Sequence, residues 1–253
     1  MAKLKLAIVG YGKMGKEIEA IAKERGHEIV STIDSNDNEA QFKKINEESL
    51  QNVDVCIDFT HPDSAISNVE AMSALGVNVV LGTTGWYDEM NRVRSIVKDT
   101  NIGFMWASNF SIGVNMFFRI VQDAASIVNS VPEYDVAGNE IHHNQKADSP
   151  SGTAVSIAEI LVKNISRKKK IVYEALNRQI KNNEIQFSST RIGNVPGTHS
   201  VLFDSQADTI ELKHTARNRG GFALGAVLAA EFVNKKKGFF EINDLMDNLI
   251  GDN

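Results

Sequence analysis

The chain has 253 residues, with 27 lysines and arginines against 32 aspartates and glutamates and a net charge of −5. This length allows one large domain or two modest ones, and the negative charge argues against nucleic acid as a general partner. The single cysteine, Cys56, lies in the apolar run Val53–Phe59, which indicates a buried thiol, excludes a disulfide framework and fits a reducing cytoplasm. No apolar run approaches the length of a membrane span, and the first residues have the pattern of a strand and not of a signal peptide.

Residues 1–109 alternate apolar strand patterns with helical patterns. Strands are predicted at Leu4–Val9, His27–Ile33, Val53–Phe59, Val77–Leu81 and Ile102–Trp106. The clearest helices between them are predicted at Lys16–Arg25, Asp63–Leu75 and Tyr87–Thr100. Such alternation predicts right-handed crossovers and a Rossmann-type parallel sheet, whose ligands bind beyond the carboxyl ends of the strands.

A glycine-rich turn lies between the first predicted strand and the first predicted helix. In its spacing, Gly10-x-Gly12-x-x-Gly15, the three glycines permit the tight turn, the approach of a pyrophosphate and the close packing of helix on strand. Asp34 follows Gly15 by 19 residues, about where a ribose-binding carboxylate belongs. The pattern predicts a dinucleotide site, and the alternative is a glycine turn that binds no ligand.

Polar side chains also stand at the ends of later predicted strands. Thr60, Thr83 and Asn109 all occupy such positions. Ordinary loop capping explains each of them singly, but their shared position favours a cofactor cleft.

After Phe110 the pattern becomes that of a smaller α+β domain. Helices are predicted at Ser111–Asn129, from Ser151 or Gly152 to about Asn164, and at Gly221–Asn234. Strands are predicted at Tyr134–His142, Glu184–Ile192, His199–Ser205 and Thr209–His214. Strands without intervening helices predict a mixed or antiparallel sheet. The basic run Arg167–Lys170 is interpreted as part of a solvated loop.

The segment Glu140–Ala154 concentrates groups that bind and protonate an anion. It places two imidazoles and an ammonium before a Pro-Ser-Gly-Thr turn that opens a helix. Helix N-termini bind anions, histidines titrate near neutral pH and lysine adds a fixed charge, so the pattern predicts a site for a small dicarboxylate. His142 and His143 point to different sides of an extended strand. A metal site is the weaker interpretation, because adjacent histidines lack the one-face spacing of zinc motifs; two histidines in a satisfied polar loop are the other alternative.

These motifs resemble those of the dihydrodipicolinate reductase family, also called 4-hydroxy-tetrahydrodipicolinate reductases. The resemblance covers nearly the whole chain, and the most specific string is His-His-x-x-Lys-x-Asp-x-Pro-Ser-Gly-Thr. It extends to the segments Asp58–Pro62, Gly82–Gly85, Ala107–Asn115, Arg191–His199 and His214–Ala223. The resemblance implies an oxidoreductase that uses NADH or NADPH to reduce a cyclic imine dicarboxylate to tetrahydrodipicolinate, in diaminopimelate and lysine biosynthesis.

The resemblance also implies a domain organisation and an assembly. Residues 1–109 and 219–253 are expected to form a discontinuous dinucleotide-binding domain. Residues 110–218 are expected to bind substrate and to build a homotetramer through their sheet.

By the same resemblance, individual residues receive roles. His142 is the candidate proton donor and acceptor, expected to titrate near its ordinary pKa of about 6.5, and Lys146 binds substrate and assists protonation. His143 contacts a substrate carboxylate, which Gly152 and Thr153 hold at the start of the helix. The residues expected at the cofactor are Gly10, Tyr11, Gly12, Lys13, Met14, Gly15, Asp34, Phe59, Thr60, Gly82, Thr83, Thr84, Ala107, Ser108, Asn109 and Phe110. No metal is expected.

Two departures from the family pattern bear on cofactor choice. The phosphate loop is one residue shorter than in many members, and Ser35 and Asn36 follow Asp34 with no arginine directly after it. Asp34 favours the 2′-hydroxyl of NADH, while Lys13, Ser35 and Asn36 soften its repulsion of a 2′-phosphate. We therefore expect use of both cofactors, with NADH at least as good.

Some assignments stay open at the level of sequence. Arg191 and His199 flank a Gly-Asn-Val-Pro-Gly turn that lines the substrate cleft or forms a plain hairpin, and they are not counted as site residues. Asp148 orients Lys146 or caps a turn. The rival functions are another nicotinamide enzyme, such as an amino-acid dehydrogenase, and an NAD-binding sensor without catalysis.

Overall fold

The computed structural model describes residues 2–251, and the chain divides into two compact units. The first unit comprises Met1–Ile112 with Arg219–Asn253, and the second is Gly113–Asn218. The boundaries between the units follow residues 112 and 218, where the sequence predicts domain boundaries after residues 109 and 218. Within the described residues, no helix has both the length and the hydropathy to cross a membrane.

Eleven strands and seven α-helices make up the described fold. The strands are β1 Lys5–Val9, β2 Glu28–Ile33, β3 Val55–Asp58, β4 Asn78–Leu81, β5 Gly103–Trp106, β6 Asp135–His142, β7 Lys170–Val172, β8 Glu184–Arg191, β9 Thr198–Asp204, β10 Thr209–Thr215 and β11 Gly238–Glu241. The helices are α1 Lys13–Glu24, α2 Pro62–Ala74, α3 Met90–Thr100, α4 Ile112–Asn129, α5 Gly152–Asn164, α6 Gly220–Val233 and α7 Ile242–Ile250. A 3-10 turn, Tyr87–Glu89, precedes α3.

The first unit is a parallel sheet between two helical layers. Its six strands lie in the order β11-β5-β4-β3-β1-β2, and every pair is parallel. Alternate residues of β1 face opposite sides, so Leu6 packs with α1 and α6 while Ala7 packs with α2 and α3. Burial on both faces explains why β3 and β4 are apolar almost throughout. The predicted parallel sheet is confirmed, with each strand within two residues of its predicted ends.

Two elements at the end of the chain were not predicted. β11 adds to the edge of the sheet beside β5, where the rings of Phe239 and Phe104 stack with centroids 5.1 Å apart. α7 begins with a reciprocal cap, in which Glu241 and Asp244 each accept a backbone N–H of the other. The strand is four residues long and gains its partner from β5, so its own sequence carries little signal.

The second unit is a mixed sheet with α4 and α5 packed on it. The strand order is β10-β9-β6-β8-β7, with β6 parallel to β8 and antiparallel to β9. Phe187 of β8 and Phe203 of β9 are fully buried against Val121 of α4 and Leu161 of α5. The predicted mixed α+β unit is confirmed.

The interpretation of Arg167–Lys170 as a solvated loop is wrong. Lys168 is 3% exposed, and its ammonium donates to the carbonyls of Asn182 and Glu184 at 2.9 Å. It also pairs with the carboxylate of Asp135. Lys170 then begins β7, which pairs with β8. A buried cation that binds two backbone carbonyls thus fixes one end of the second sheet.

Candidate active site

The glycine turn has the geometry that its spacing predicts. Gly10 has φ +88° and donates its N–H to the carbonyl of Ile33 at 2.9 Å, so a left-handed backbone is needed there. A Cβ on Gly10 would lie 2.2 Å from the carbonyl oxygen of Phe59. A Cβ on Gly15 would lie 2.3 Å from the carbonyl oxygen of Gly10. Both glycines are therefore required for the turn itself, whatever it binds.

Gly12 differs because nothing lies within 4 Å of the Cβ that it lacks. It is the N-cap of α1, no side chain caps this helix end, and the first turn contains no acidic residue. Free N–H groups and the helix dipole favour an anion at such an end. Lys13 begins the helix with an exposed side chain, and the side chain of Met14 packs on the core. The turn therefore fits a pyrophosphate.

Asp34 binds the backbone around it. One carboxylate oxygen accepts the N–H of Tyr11 at 2.9 Å, and the other accepts those of Asn36 at 2.8 Å and Asp37 at 3.0 Å. Burial alone would raise the pKa of Asp34, but these three donors outweigh it and lower the pKa. The carboxylate joins the glycine turn to the loop after β2.

A buried carboxylate that the sequence did not single out lies at the end of β3. Asp58 is fully buried and accepts hydrogen bonds from Thr60 at 2.7 Å, Thr83 at 3.0 Å and Asn68 at 2.9 Å. Burial raises the pKa of this carboxyl. Thr60 and Thr83 lie close together, and both hydroxyls donate hydrogen bonds to Asp58. In this structure the two threonines therefore stabilise the loops at the strand ends, which is the alternative that the sequence left open.

The other expected cofactor residues lie at the carboxyl ends of β3, β4 and β5. The rings of Phe59 and Phe110 are 6.0 Å apart, and a Cβ on Gly82 would lie 2.1 Å from the Phe59 ring. Ala107 and Phe110 are buried, Thr84 and Ser108 are exposed, and Asn109 accepts the N–H of Ser111 at 2.9 Å. The sheet edge thus collects these residues, with the side chain of Phe110 directed into the core.

In the second unit, the buried face of β6 changes along the strand from apolar residues to a polar cluster. Glu140 and His142 of β6 follow buried Val136 and Gly138 on one face. Glu140 is 0% exposed, and its Oε1 accepts the N–H of Ser151 at 3.0 Å and the hydroxyl of Ser189 at 2.8 Å. One carboxylate therefore joins the end of the sheet to the start of α5.

Two side chains left open by the sequence complete this cluster. Arg191 donates from Nη2 to Oε1 of Glu140 at 3.0 Å and to the carbonyl of Asp148 at 2.6 Å. Nε2 of His199 lies 3.6 Å from Oε2 of Glu140 and 3.3 Å from the hydroxyl of Ser151. The sheet register brings them in, because Glu140 is opposite His199 and His142 is opposite Arg191.

His142 is held in an uncharged form. It is 7% exposed, its Nδ1 lies 3.1 Å from Oε2 of Glu140, and its ring centroid is 5.1 Å from that of His199. Burial lowers the pKa of His142 to about 4, even though the charge of Glu140 opposes this shift. The expectation that His142 titrates near neutral pH is therefore wrong for this structure. Burial alone would raise the pKa of Glu140, but the nearby imidazole of His199 and the hydrogen bonds from Ser151 and Ser189 outweigh it and hold this pKa well below the ordinary range.

The expected substrate residues surround the start of α5. The ammonium of Lys146 lies 2.7 Å from the carboxylate of Asp148, which supports the orienting role for that aspartate. Ser151 is the N-cap and accepts the N–H of Ala154 at 3.2 Å, and nothing lies within 4 Å of the Cβ that Gly152 lacks. Thr153 and His143 are half-buried, and His143 lies beyond the end of β6 while His142 is buried at its last position.

Glu140, His142 and His199 are also the described groups that could hold a metal ion, since their ligand atoms lie within 4.8 Å of one another. A carboxylate with two imidazoles is a zinc-like donor set. However, Arg191 already neutralises Glu140 at 3.0 Å, which leaves the set without the negative charge that would favour a divalent cation. Hydrogen bonds occupy Oε1 of Glu140, whereas its Oε2 and Nδ1 of His142 are buried without a hydrogen-bond partner among the described residues.

Two family descriptions together match almost all of the chain. "Dihydrodipicolinate reductase, N-terminus" matches residues 4–110, and "Dihydrodipicolinate reductase, C-terminus" matches residues 113–246. The chain belongs to the dihydrodipicolinate reductase family. Members of this family are NAD(P)H-dependent oxidoreductases, so the chain is an enzyme of that class.

Individual relatives agree with this membership. The 4-hydroxy-tetrahydrodipicolinate reductase of Christiangramia forsetii is 40% identical over 97% of this chain and 99% of its own length. That of Ralstonia nicotianae is 39% identical over 78% of this chain and 75% of its own length. The structure of a dipicolinate-bound dihydrodipicolinate reductase from Paenisporosarcina sp. TG-14 superimposes with a TM-score of 0.76, at 24% identity, over 96% of this chain and 99% of that one. This last similarity establishes a shared fold.

Proposed function

We propose that this chain is a 4-hydroxy-tetrahydrodipicolinate reductase, which uses NADH or NADPH to form tetrahydrodipicolinate in diaminopimelate and lysine biosynthesis. The observation that carries the proposal is the buried carboxylate of Glu140, which joins His142 at the end of β6 to Ser151 at the start of α5. The most specific motif of the chain is thereby built into one site. The 40% identity to a relative of that name supports the same conclusion.

The first unit provides the cofactor half of the reaction. We assign the pyrophosphate to the open surface at Gly12 and the start of α1, and the rest of the dinucleotide to the strand ends from Phe59 to Phe110. The bound reduced nicotinamide supplies the hydride. The chain contributes binding and orientation, for which Gly10, Gly15 and Asp34 hold the turn in shape.

The second unit provides the substrate half. A small cyclic imine dicarboxylate needs donors for two carboxylates. Lys146, His143 and the free N–H groups at Gly152 and Thr153 are the donors that we assign to them. Asp148 holds Lys146 at 2.7 Å, so the ammonium is oriented before substrate arrives.

We assign the transferred proton to Lys146. His142 and Lys146 remain the catalytic pair, but the pKa of His142, lowered to about 4 by burial, leaves its imidazole almost entirely neutral at pH 7. A neutral imidazole with Nδ1 directed at Glu140 can accept a proton or a hydrogen bond at Nε2. The ammonium of Lys146 donates the proton to the substrate when the hydride arrives, and the resulting amine regains a proton from water. His142 stays neutral and offers Nε2 as a hydrogen-bond acceptor in the site.

The deciding experiment is a steady-state assay with freshly generated substrate and each reduced cofactor. Turnover that forms tetrahydrodipicolinate supports the proposal. Oxidation of an amino acid with NAD⁺ or NADP⁺ and no turnover of the cyclic substrate would indicate an amino-acid dehydrogenase. Cofactor binding without any turnover would indicate a sensor.

We also infer a homotetramer in the cytoplasm, with a small-molecule substrate and no nucleic-acid or membrane partner. The net charge of −5 and the buried Cys56 support this environment. Exposed apolar side chains on α4, namely Met116 at 50%, Ile120 at 49% and Ile127 at 67%, support self-association of the second unit. Light scattering during gel filtration tests the tetramer, and a monomer mass of 27.8 kDa would contradict it.

A further inference from the structure

A cavity of about 370 Å³ lies beyond β1, β2 and β3, next to the glycine turn. Its rim is polar and includes Asp34, Ser35, Asn36, Lys43, Lys44 and His61. In a Rossmann-type unit, the ribose and adenine of the dinucleotide follow the pyrophosphate in this direction. The charges on the rim therefore decide whether a hydroxyl or a phosphate is bound there.

Most of the hydrogen-bond acceptor positions of Asp34, the acidic residue on the rim, are already used by backbone N–H groups. An ionised carboxylate has about four acceptor positions, and Asp34 uses three of them on the N–H groups of Tyr11, Asn36 and Asp37. Three donors also spread its negative charge over the backbone. Asp34 is thus a poorer partner for ribose hydroxyls, and a weaker source of repulsion for a phosphate, than its position in the sequence predicts.

The two lysines on the rim, by contrast, have no carboxylate at salt-bridge distance among the described residues, and the charge of Lys43 acts on Asp34 only at longer range, where it helps to lower the pKa of that carboxyl. Lys43 donates to the carbonyl of Asp37 at 2.7 Å and contacts the amide oxygen of Asn38 at 3.5 Å, and it makes no ion pair with a carboxylate in residues 2–251. The exposed Lys44 likewise has no carboxylate within 4.0 Å among the described residues. Lys16 shows the contrast, because its ammonium is already paired with Glu39 and Asp37.

We propose that Lys43 and Lys44 form the binding site for the 2′-phosphate of NADPH and give this enzyme a preference for NADPH over NADH. A phosphate monoester carries a charge of about −1.5 to −2 at pH 7 and offers three acceptor oxygens, which match two ammonium groups that are not paired with a carboxylate. The 2′-hydroxyl of NADH offers neither. The proposal rests on the reductase function above and reverses the expectation, drawn from Asp34 alone, that NADH is at least as good.

The test is the double variant Lys43→Ala/Lys44→Ala. Its matched control is Lys98→Ala/Lys237→Ala, which removes two exposed lysines outside the cavity rim. Calorimetry measures the binding of 2′,5′-ADP and of 5′-AMP, which differ only in the 2′-phosphate. Steady-state assays measure kcat/KM for NADPH and NADH with the same proteins.

We expect the wild type to bind 2′,5′-ADP at least about tenfold more tightly than 5′-AMP and to favour NADPH by a similar factor, equal to about 1.4 kcal/mol. The double variant should lose about tenfold in both 2′,5′-ADP affinity and kcat/KM for NADPH, with kcat/KM for NADH and the control unchanged within about twofold. Higher salt should reduce the preference.

Equal losses for both cofactors, or unchanged 2′,5′-ADP binding in the double variant, would overturn the proposal. So would a wild type that binds both nucleotides equally. The reductase function fails separately: selective, lysine-dependent binding of 2′,5′-ADP without turnover would leave the phosphate site standing, while NADH-driven turnover with no effect of the lysines would leave only the function standing.

Discussion

Replacement of Glu140 by alanine should destabilise the second unit strongly. The carboxylate is fully buried, and its Oε1 accepts hydrogen bonds from Ser151, Ser189 and Arg191. Its loss leaves these donors unsatisfied and the guanidinium of Arg191, whose side chain is 20% exposed, without its counter-ion. Breaking a buried pair in this way costs about 3–5 kcal/mol.

Glu140→Gln separates the effect of charge from that of shape. The amide oxygen can replace Oε1 and keep all three donors, while the NH₂ group faces Nδ1 of His142 in place of Oε2. We expect a smaller loss of about 1–3 kcal/mol. Glu211→Ala is the control, because that glutamate is exposed on β10, and it should change stability by less than about 0.5 kcal/mol.

The assay uses urea unfolding followed by two signals. Both tryptophans, Trp86 and Trp106, lie in the first unit, so their fluorescence reports on that unit, whereas far-UV circular dichroism reports on both. Glu140→Ala should move the circular dichroism transition to lower urea, with its early part ahead of the fluorescence transition. A loss below about 1 kcal/mol, or equal losses for the Ala and Gln variants, would refute the reasoning.

Three further predictions follow from the same contacts. Lys146→Ala should lower kcat by about 10²-fold or more and leave cofactor binding unchanged by calorimetry; parallel loss of both would contradict the assignment of the proton. Because the pKa of His142 falls to about 4 on folding, the unfolded chain binds more protons between this value and about 6.5, so stability should fall as pH drops through that window. His142→Asn should remove up to about 2 kcal/mol of that fall, measured as urea midpoints at pH 7 and pH 5, and an unchanged slope would be inconsistent with a depressed pKa. Lys168→Met should cost about 1–3 kcal/mol of unfolding free energy, whereas the exposed neighbour in Lys169→Met should cost less than about 0.5; equal effects would mean that the buried ammonium contributes nothing.

The fold was predictable where local sequence decides it. The apolar run before Gly10, the spacing of the turn and the amphipathic helix after it all specify strand, turn and helix without distant partners. β7 and β11 were missed because they have only three and four residues, and each forms by adding to the edge of another strand, β8 in the case of β7 and β5 in the case of β11. The burial of Lys168 was missed for the same reason, since carbonyls of Asn182 and Glu184 create it.

The sequence was enough to predict which residue types form the candidate site, but not which hydrogen bonds and ion pairs join them. Glu140 stood at the first position of the motif, two residues before His142, and period-two alternation puts both on the buried face of one strand. That signal alone marks Glu140 as a buried acid in need of partners. Which partners it finds depends on the register of β6 with β8 and β9, which brings in Arg191 and His199 and which no single segment encodes.

The protonation state of the site depends on that register as well. The residue type His142 predicts a group that exchanges protons near pH 7, and the same side chain packed beside Glu140, His199 and Arg191 has a pKa of about 4. Burial is the largest cause of this lowered pKa, the charge of Glu140 opposes it, and His199, Lys146 and Arg191 add to it. The motif specifies the histidine, but only the packing of these neighbours sets its pKa.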